Sequence, residues 1–166
     1  MSNITTSQTI GPFSHEAWKW ATELTPAAGA ITISGAIYDG AGVPINDAQI
    51  ESWQPAAAEA EAAAAIPGFR RVPSGEDGGF RFQLTKVEQA PGEPVAYITV
   101  FARGLVKHQF TAVFLADDPG LSQSAILDQV PSARRATLLA ERNADGSYRW
   151  DIHMQGERET VFFDYE

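Results

Sequence analysis

From residue 30 onward the chain repeats short stretches in which apolar and polar residues alternate, with glycine, proline or aspartate between them. Such alternation is typical of strands that turn one face toward a core. Several short strands at this spacing, separated by turn residues, predict an antiparallel β-sandwich or barrel. The predicted strands are residues 31–37, 48–53, 80–84, 95–103, 110–115, 136–141, 148–154 and 160–163.

The stretch VAYITVFARG, residues 95–104, carries apolar residues on both of its faces. Its β-branched and aromatic residues favour a strand, and the two apolar faces predict a strand that is covered on both sides. A single cation, Arg103, follows before Gly104 ends the run. An arginine at the end of such a strand is a candidate functional residue.

Two glycine-rich stretches favour hairpin turns. In YDGAGVP the turn residues are Asp39-Gly40 and Gly42, and in GEDGGFRFQL they are Asp77-Gly78-Gly79. Glycine after aspartate supplies the backbone conformations that tight hairpins require. We therefore expect a turn at each place.

Three segments interrupt the strand pattern. Residues 1–29 predict an irregular N-terminal arm with a short helix at 15–24, because Gly11-Pro12 and Pro26 break any long element. The β-sandwich domain is then residues 30–166. The alanine-rich residues 56–66 predict a surface loop or a short helix. A second short helix is expected before Pro131, and we expect Arg134 and Arg135 beyond it to be solvated.

Composition narrows the classes of function. A length of 166 residues with 44% hydrophobic residues indicates one domain with a real core. No run approaches the roughly 18 apolar residues of a membrane span, and the N-terminus has no signal-peptide pattern, so we expect a cytoplasmic protein. The net charge of −9 argues against a nucleic-acid partner. The absence of cysteine excludes disulfides, thiolate catalysis and cysteine-ligated metals.

Candidate catalytic groups are few. His15, His108 and His153 stand far apart in the sequence, and no two have the spacing of metal ligands. His108 is a weak candidate for a base. The remaining candidates are acidic residues in polar, loop-like surroundings, which we expect to be solvated: Glu59, Glu61, Asp117 and Asp118.

Five segments resemble one family. ITISGAIYDGAGVPINDAQIESWQP resembles the opening strands of the intradiol ring-cleaving dioxygenases, where a strand leads through Gly-x-x-x-Asp and Gly-x-Pro to Ala-x-x-Glu-x-Trp-Gln. GGFRFQLTK is similar to the next hairpin of that family. SQTIGPF, VFARGL and GERETVFFDY resemble its iron-free α subunits. Together the segments run in order from Ser7 to Tyr165, and the resemblance implies an antiparallel β-sandwich of the intradiol dioxygenase type.

The resemblance also implies where the metal is held. In this family two tyrosines and a His-x-His pair hold one ferric iron, and the histidine pair lies on the strand that here reads PVAYITVFARG. This chain has no histidine between His15 and His108 and no tyrosine between Tyr38 and Tyr97. The resemblance therefore implies that this chain has no metal site and that a partner β subunit holds Fe(III).

Substrate contacts are implied on two parts of this chain, although no catalytic residue is implied on it alone. In the family's α subunits the N-terminal arm lines the substrate pocket, which carries over to Thr9, Gly11, Pro12 and Phe13. Relatives often have tyrosine where Phe13 stands, so a hydroxyl is missing here. Arg103 is implied to reach the neighbouring active site, where it meets an anionic substrate. The alternative for Arg103 is an interface salt bridge.

The implied function is that of an α subunit in an obligate hetero-oligomer with an iron-bearing β subunit. The complex would cleave protocatechuate with O2 to 3-carboxy-cis,cis-muconate, a step of aromatic catabolism in the β-ketoadipate pathway. A dioxygenase active on one chain would need the missing ligands. A β-sandwich binding or transport module without an enzymatic partner is the remaining alternative.

Overall fold

The computed structural model describes Pro26 and residues 29–164. The predicted helix at 15–24 and most of the predicted arm lie outside these residues. The described part contains nine strands: β1 Ala30–Tyr38, β2 Gln49–Trp53, β3 Phe69–Pro73, β4 Gly79–Thr85, β5 Ala96–Phe101, β6 Gln109–Leu115, β7 Leu139–Arg142, β8 Tyr148–Arg149 and β9 Ile152–His153.

The strands form one nearly closed sheet in the order β3-β2-β5-β6-β7-β8-β1-β4, with β9 beside β1. The outer strands β3 and β4 come together where Arg70 of β3 donates its Nε–H to the carbonyl oxygen of Gln83 in β4, at 3.1 Å. Most neighbours are antiparallel, but β6–β7, β1–β8 and β1–β9 are parallel. The predicted mainly β, sandwich-like fold is confirmed.

The alternation read from the sequence places the core. One large apolar cluster fills the space between the two halves of the sheet, and it takes the predicted inward residues Phe80, Phe82 and Leu84 of β4. On β5 the even-numbered residues are buried and the odd-numbered ones are half-buried. A second, smaller cluster lies on the other face of β6: Ala112, Phe114, Leu127, Val130 and Leu138. Tyr97 of β5 packs against this second cluster, so β5 has apolar contacts on both of its faces, as predicted.

The predicted turn after β1 forms, but the hairpin does not. Asp39 Oδ1 accepts hydrogen bonds from the backbone N–H groups of Ala41 and Val43 at 2.9 and 2.8 Å. After a single bridge between Tyr38 and Pro44 the chain leaves β1, and β2 pairs with β3 and β5 instead. The N–H of Ile45 still donates to the carbonyl oxygen of Ile37 at 2.9 Å, but the N–H of Ile37 donates to the carbonyl oxygen of Gly78 at 3.0 Å instead of continuing the ladder.

Three predicted strands in the last third of the chain are shorter than expected. The stretch 136–141 is helical until the 3₁₀ helix Ser132–Leu138 ends, and β7 follows it. The stretch 148–154 divides into β8 and β9, because Asp151 Oδ1 accepts the N–H of Ala36 at 2.8 Å where a backbone carbonyl would otherwise pair. The stretch 160–163 makes one bridge, between Phe110 and Phe163.

The helical segments are short, as predicted. The α-helix Ala125–Asp128 precedes Pro131, and Ser124 caps it by accepting the N–H of Leu127 at 3.2 Å. The 3₁₀ helices Pro55–Ala57 and Leu121–Gln123 complete the set in the described residues, and the alanine-rich residues after Ala57 form turns. Within the same residues, no helix has the length and apolar character that crossing a membrane requires.

Candidate functional site

Arg103 lies two residues beyond the end of β5, so the predicted strand to Arg103 was too long. It sits in a turn in which Leu105 donates its N–H to the carbonyl oxygen of Ala102 at 3.2 Å. Gly104 supports this turn with a φ of 90°, a conformation that residues with a Cβ rarely adopt. The side chain of Arg103 is 81% exposed. The turn therefore presents a cation at the surface.

Asp47 is the ion-pair partner of Arg103. Arg103 Nε lies 2.6 Å from Asp47 Oδ2, and the aspartate side chain is only 25% exposed. The pair follows from the register of the sheet, because β2 pairs with β5 so that Gln49 lies opposite Phe101. Continuing that antiparallel register by two residues sets Asp47 opposite Arg103. The ion pair is thus a cross-strand pair just beyond the ladder.

The segment that carries Asp47 is tied to the end of β3. The N–H of Ala48 donates to Ser74 Oγ at 2.9 Å, and the N–H of Ser74 donates to the carbonyl oxygen of Ala48 at 2.9 Å. Asn46 Nδ2 donates to Glu76 Oε2 at 3.1 Å. Asp47 therefore stands between two anchored residues.

The loop that follows Arg103 carries apolar and aromatic residues. Val106, in the same loop, is 70% exposed, which is high for a large hydrophobic residue. The ring of His108 lies between those of Phe101 and Phe110, with centroid distances of 5.3 and 4.6 Å. His108 is therefore part of an aromatic cluster, and its role as a base stays a prediction.

The other predicted substrate contacts, Thr9, Gly11, Pro12 and Phe13, lie outside the described residues. The structure therefore neither joins them to Arg103 nor separates them from it, and their role stays a prediction.

The described residues do not fit the iron of the intradiol family. Between residues 29 and 164, no three or more histidine, aspartate and glutamate side chains come close enough together to hold a metal ion. β5, the strand that carries the histidine pair in that family, reads AYITVF here. His108 lies in the aromatic cluster, and His153 stacks on Tyr38 with ring centroids 5.1 Å apart.

A cleft of about 450 Å³ lies on another part of the surface. The 3₁₀ helix Ser132–Leu138 and the β8–β9 region form its walls, and its lining includes Arg134, Trp150, His153 and Arg158 but not Arg103. Burial lowers the pKa of His153, the charge of Arg158 lowers it further, and Asp151 opposes both. Arg103 thus lies outside this cleft, on an exposed part of the surface.

Sequence reasoning was wrong about Glu61. It was expected to be solvated, yet its side chain is 6% exposed and pairs with Arg70 Nη2 at 2.5 Å. Glu61 also accepts hydrogen bonds from Arg70 Nη1 at 3.0 Å, from the N–H of Gly68 at 2.7 Å and from the hydroxyl of Thr85. The sequence offers one signal: Arg70 and Val72 are two residues apart on β3, so their side chains lie on the same, inward face of the strand. A buried arginine needs a carboxylate partner.

Arg134 and Arg135 were also expected to be solvated, but both are half-buried. Arg134 Nη2 donates to the carbonyl oxygen of Glu159 at 2.6 Å, and Arg135 Nε donates to that of Val130 at 3.0 Å. They fasten the 3₁₀ helix Ser132–Leu138 to its surroundings.

Comparison with solved structures identifies the fold. The structure is similar to the dioxygenase domain of a dioxygenase and carbohydrate-binding protein fusion from Streptomyces sp. SirexAA-E, with a TM-score of 0.60 and 18% identity over 80% of this chain and 84% of that one. No protein-family model matches the sequence. The fold is that of the intradiol ring-cleaving dioxygenases.

Comparison of the sequence is more specific. The chain is 33% identical to the protocatechuate 3,4-dioxygenase alpha chain of Burkholderia cepacia over 96% of both chains. It is also 33% identical to the alpha chain of that name from Pseudomonas putida, over 97% of this chain and 96% of that one. The chain belongs to the family of protocatechuate 3,4-dioxygenase α chains. The alternative of a binding or transport module gains no support from these relatives.

Proposed function

We propose that this chain is the iron-free subunit of a protocatechuate 3,4-dioxygenase and completes the substrate pocket of an iron-bearing β subunit. The assembled enzyme inserts both atoms of O2 into protocatechuate and yields 3-carboxy-cis,cis-muconate. The observation that carries the proposal is Arg103, an exposed cation held at the end of β5 in a chain of this family. Fe(III) is held by the partner, and the absence of cysteine agrees with a cytoplasmic enzyme.

Arg103 supplies binding and charge in this proposal. Protocatechuate carries a carboxylate, and a guanidinium offers it charge-assisted hydrogen bonds from a planar fork of donors. When the partner covers Arg103, water is excluded and the lower local dielectric strengthens the attraction. The cation then favours the anionic substrate over neutral aromatic molecules.

The N-terminal arm supplies shape. Gly11 has no side chain and lets backbone approach a ligand closely, and Pro12 fixes the direction of approach. Thr9 and Phe13 flank this pair, and Phe13 contributes a ring without the hydroxyl that relatives often have there. In this proposal the arm therefore forms part of the wall of the pocket.

Co-expression tests the proposal. The chain is purified alone and together with its β subunit, and iron content and protocatechuate-dependent O2 uptake are measured. We expect iron, the colour of tyrosinate coordinated to ferric iron, and turnover only when β is present. A coloured, iron-loaded preparation of this chain alone would contradict the proposal, as would a β subunit whose turnover is unchanged without it.

A further inference from the structure

The ion pair between Asp47 and Arg103 is asymmetric. Arg103 is 81% exposed, whereas Asp47 is 25% exposed and stands on a segment fixed by the hydrogen bonds of Asn46 and Ala48. On the other side, Ala102 is 4% exposed and anchors the turn that carries the arginine. The aspartate is therefore the fixed member of the pair, and the arginine is the member that it directs.

The point of contact leaves the far end of the guanidinium available. Asp47 approaches Nε at 2.6 Å, and arginine has five N–H donors in a rigid fork. Within residues 29–164, Asp47 is the one acidic side chain that forms an ion pair with Arg103. The two terminal amino groups can then meet a second carboxylate end-on, in the bidentate geometry that arginine prefers.

Stability does not account for this pair. Ion pairs as exposed as this one contribute little to folding, because water screens the charges and both side chains lose rotamer freedom. Exposed pairs vary in length: Arg149–Asp151 and Lys107–Asp164 are as short as this one, at 2.5 and 2.7 Å, whereas Arg135–Asp128 and Arg142–Asp117 are longer, at 3.4 and 3.3 Å. The short contact restricts the arginine before any ligand arrives, and a restricted side chain loses less entropy on binding.

We propose that Asp47 is a positioning residue that holds Arg103 with its terminal nitrogens presented to the anionic substrate in the partner's pocket. The inference rests on the proposed function, because it requires that Arg103 meet substrate. It also predicts a change in turnover that is opposite in direction to the one expected from charge alone. Asp47 places a negative charge near an anionic ligand, so a purely electrostatic view expects its neutralisation to improve turnover, whereas positioning expects the reverse.

The test uses the assembled α/β complex with protocatechuate as substrate, and it measures kcat and KM by O2 uptake for four variants. These are Asp47→Asn, Arg103→Ala, the double variant, and Asp128→Asn as a matched control in a distant exposed pair. We expect Asp47→Asn to lower kcat/KM about two- to tenfold, the range set by ordering one flexible side chain. The double variant should equal Arg103→Ala, and Asp128→Asn should equal wild type.

Asp47→Glu, which keeps the charge on a longer side chain, should recover part of the loss. Unchanged or improved turnover in Asp47→Asn would overturn the inference, as would losses that multiply in the double variant. In either case a low-activity Arg103→Ala complex would leave the proposed role of Arg103 standing. If Arg103→Ala itself turned over normally, the proposed role of Arg103 and the role of Asp47 would both be wrong. Sedimentation of each complex confirms that only assembled sites are compared.

Discussion

Acid should weaken this fold through Glu61 more than through any ordinary surface carboxylate. Burial raises the pKa of Glu61, but hydrogen bonds from Arg70, Thr85 and Gly68, together with the Arg70 charge, outweigh burial and lower the pKa from 4.5 to about 2. Arg70 also links β3 to β4 through Gln83. Protonation of Glu61 therefore removes the counter-charge of a buried guanidinium at the place where the sheet closes.

The size and the sign of the effect follow from the two pKa values. A folded-state pKa below the unfolded value means that the contribution is complete above the unfolded pKa and is lost as the pH falls through the folded one. The difference between 4.5 and about 2 corresponds to about 3 kcal/mol, at about 1.4 kcal/mol per pH unit. The loss should lie between about pH 5 and pH 2.

Urea unfolding followed by circular dichroism, from pH 7 to pH 2, measures this loss. Glu61→Gln should lower the free energy of unfolding at pH 7 by about 3 to 5 kcal/mol, because it leaves Arg70 buried without its counter-ion, and should remove most of the acid dependence. Glu59→Gln, the same substitution at an exposed position two residues away, is the matched control and should behave as wild type.

A milder variant guards against a protein that does not fold. Thr85→Val keeps the ion pair and removes one hydrogen bond to Glu61, so the acid transition should move to higher pH. If wild type, Glu59→Gln and Glu61→Gln all lost stability in parallel below pH 5, the network around Glu61 would not be the source of the acid sensitivity, and the reasoning would fail.

Two further outcomes concern the assembled enzyme. Arg103→Ala should lower kcat/KM roughly ten- to 150-fold, the equivalent of about 1.5–3 kcal/mol for a charge-assisted hydrogen bond. Arg103→Lys should recover only part of this loss. If the Arg103→Ala complex dissociated early but turned over normally at each intact site, Arg103 would have a structural role at the interface instead. Deletion of residues 1–13 should lower kcat/KM without loss of iron, as measured by O2 uptake and metal analysis. Unchanged turnover would show that the arm has no role in the substrate pocket.

The sequence predicted the strands well where one face meets the core and poorly where side chains replace backbone partners. β4 follows the alternation of apolar residues closely, with Phe80, Phe82 and Leu84 buried and Arg81 and Gln83 exposed. The stretch around Trp150 has the same alternation, but Asp151 takes the N–H of Ala36 and divides the strand. Alternation reports which face is buried and carries no information about which group satisfies a given N–H. Strand ends are therefore the part that it misses.

Glu61 could not be predicted because its partners belong to distant segments. An alanine-rich stretch with two glutamates is typical of a solvated loop, and nothing local distinguishes Glu61 from Glu59. The difference is set by tertiary contacts, among them the hydrogen bond at 2.9 Å from Gln54 Nε2 to the carbonyl oxygen of Thr85, which links the start of the loop to the end of β4. Only with these contacts does one of the two carboxylates reach Arg70.

At Arg103, too, the neighbouring sequence predicted one part of the site and could not predict the other. A cation immediately after an apolar strand is visible in the sequence, and the family resemblance supplied its proposed role. Asp47 was invisible, because it meets Arg103 through the pairing of Gln49 with Phe101, and that pairing replaced the hairpin expected after β1. Had β2 returned alongside β1, Asp47 would have stood away from β5. The pairing of β2 with β5, which the hairpin prediction missed, therefore brings Asp47 to Arg103. If Asp47 positions Arg103 as we propose, the orientation of this arginine depends on a contact between segments that are far apart in the sequence.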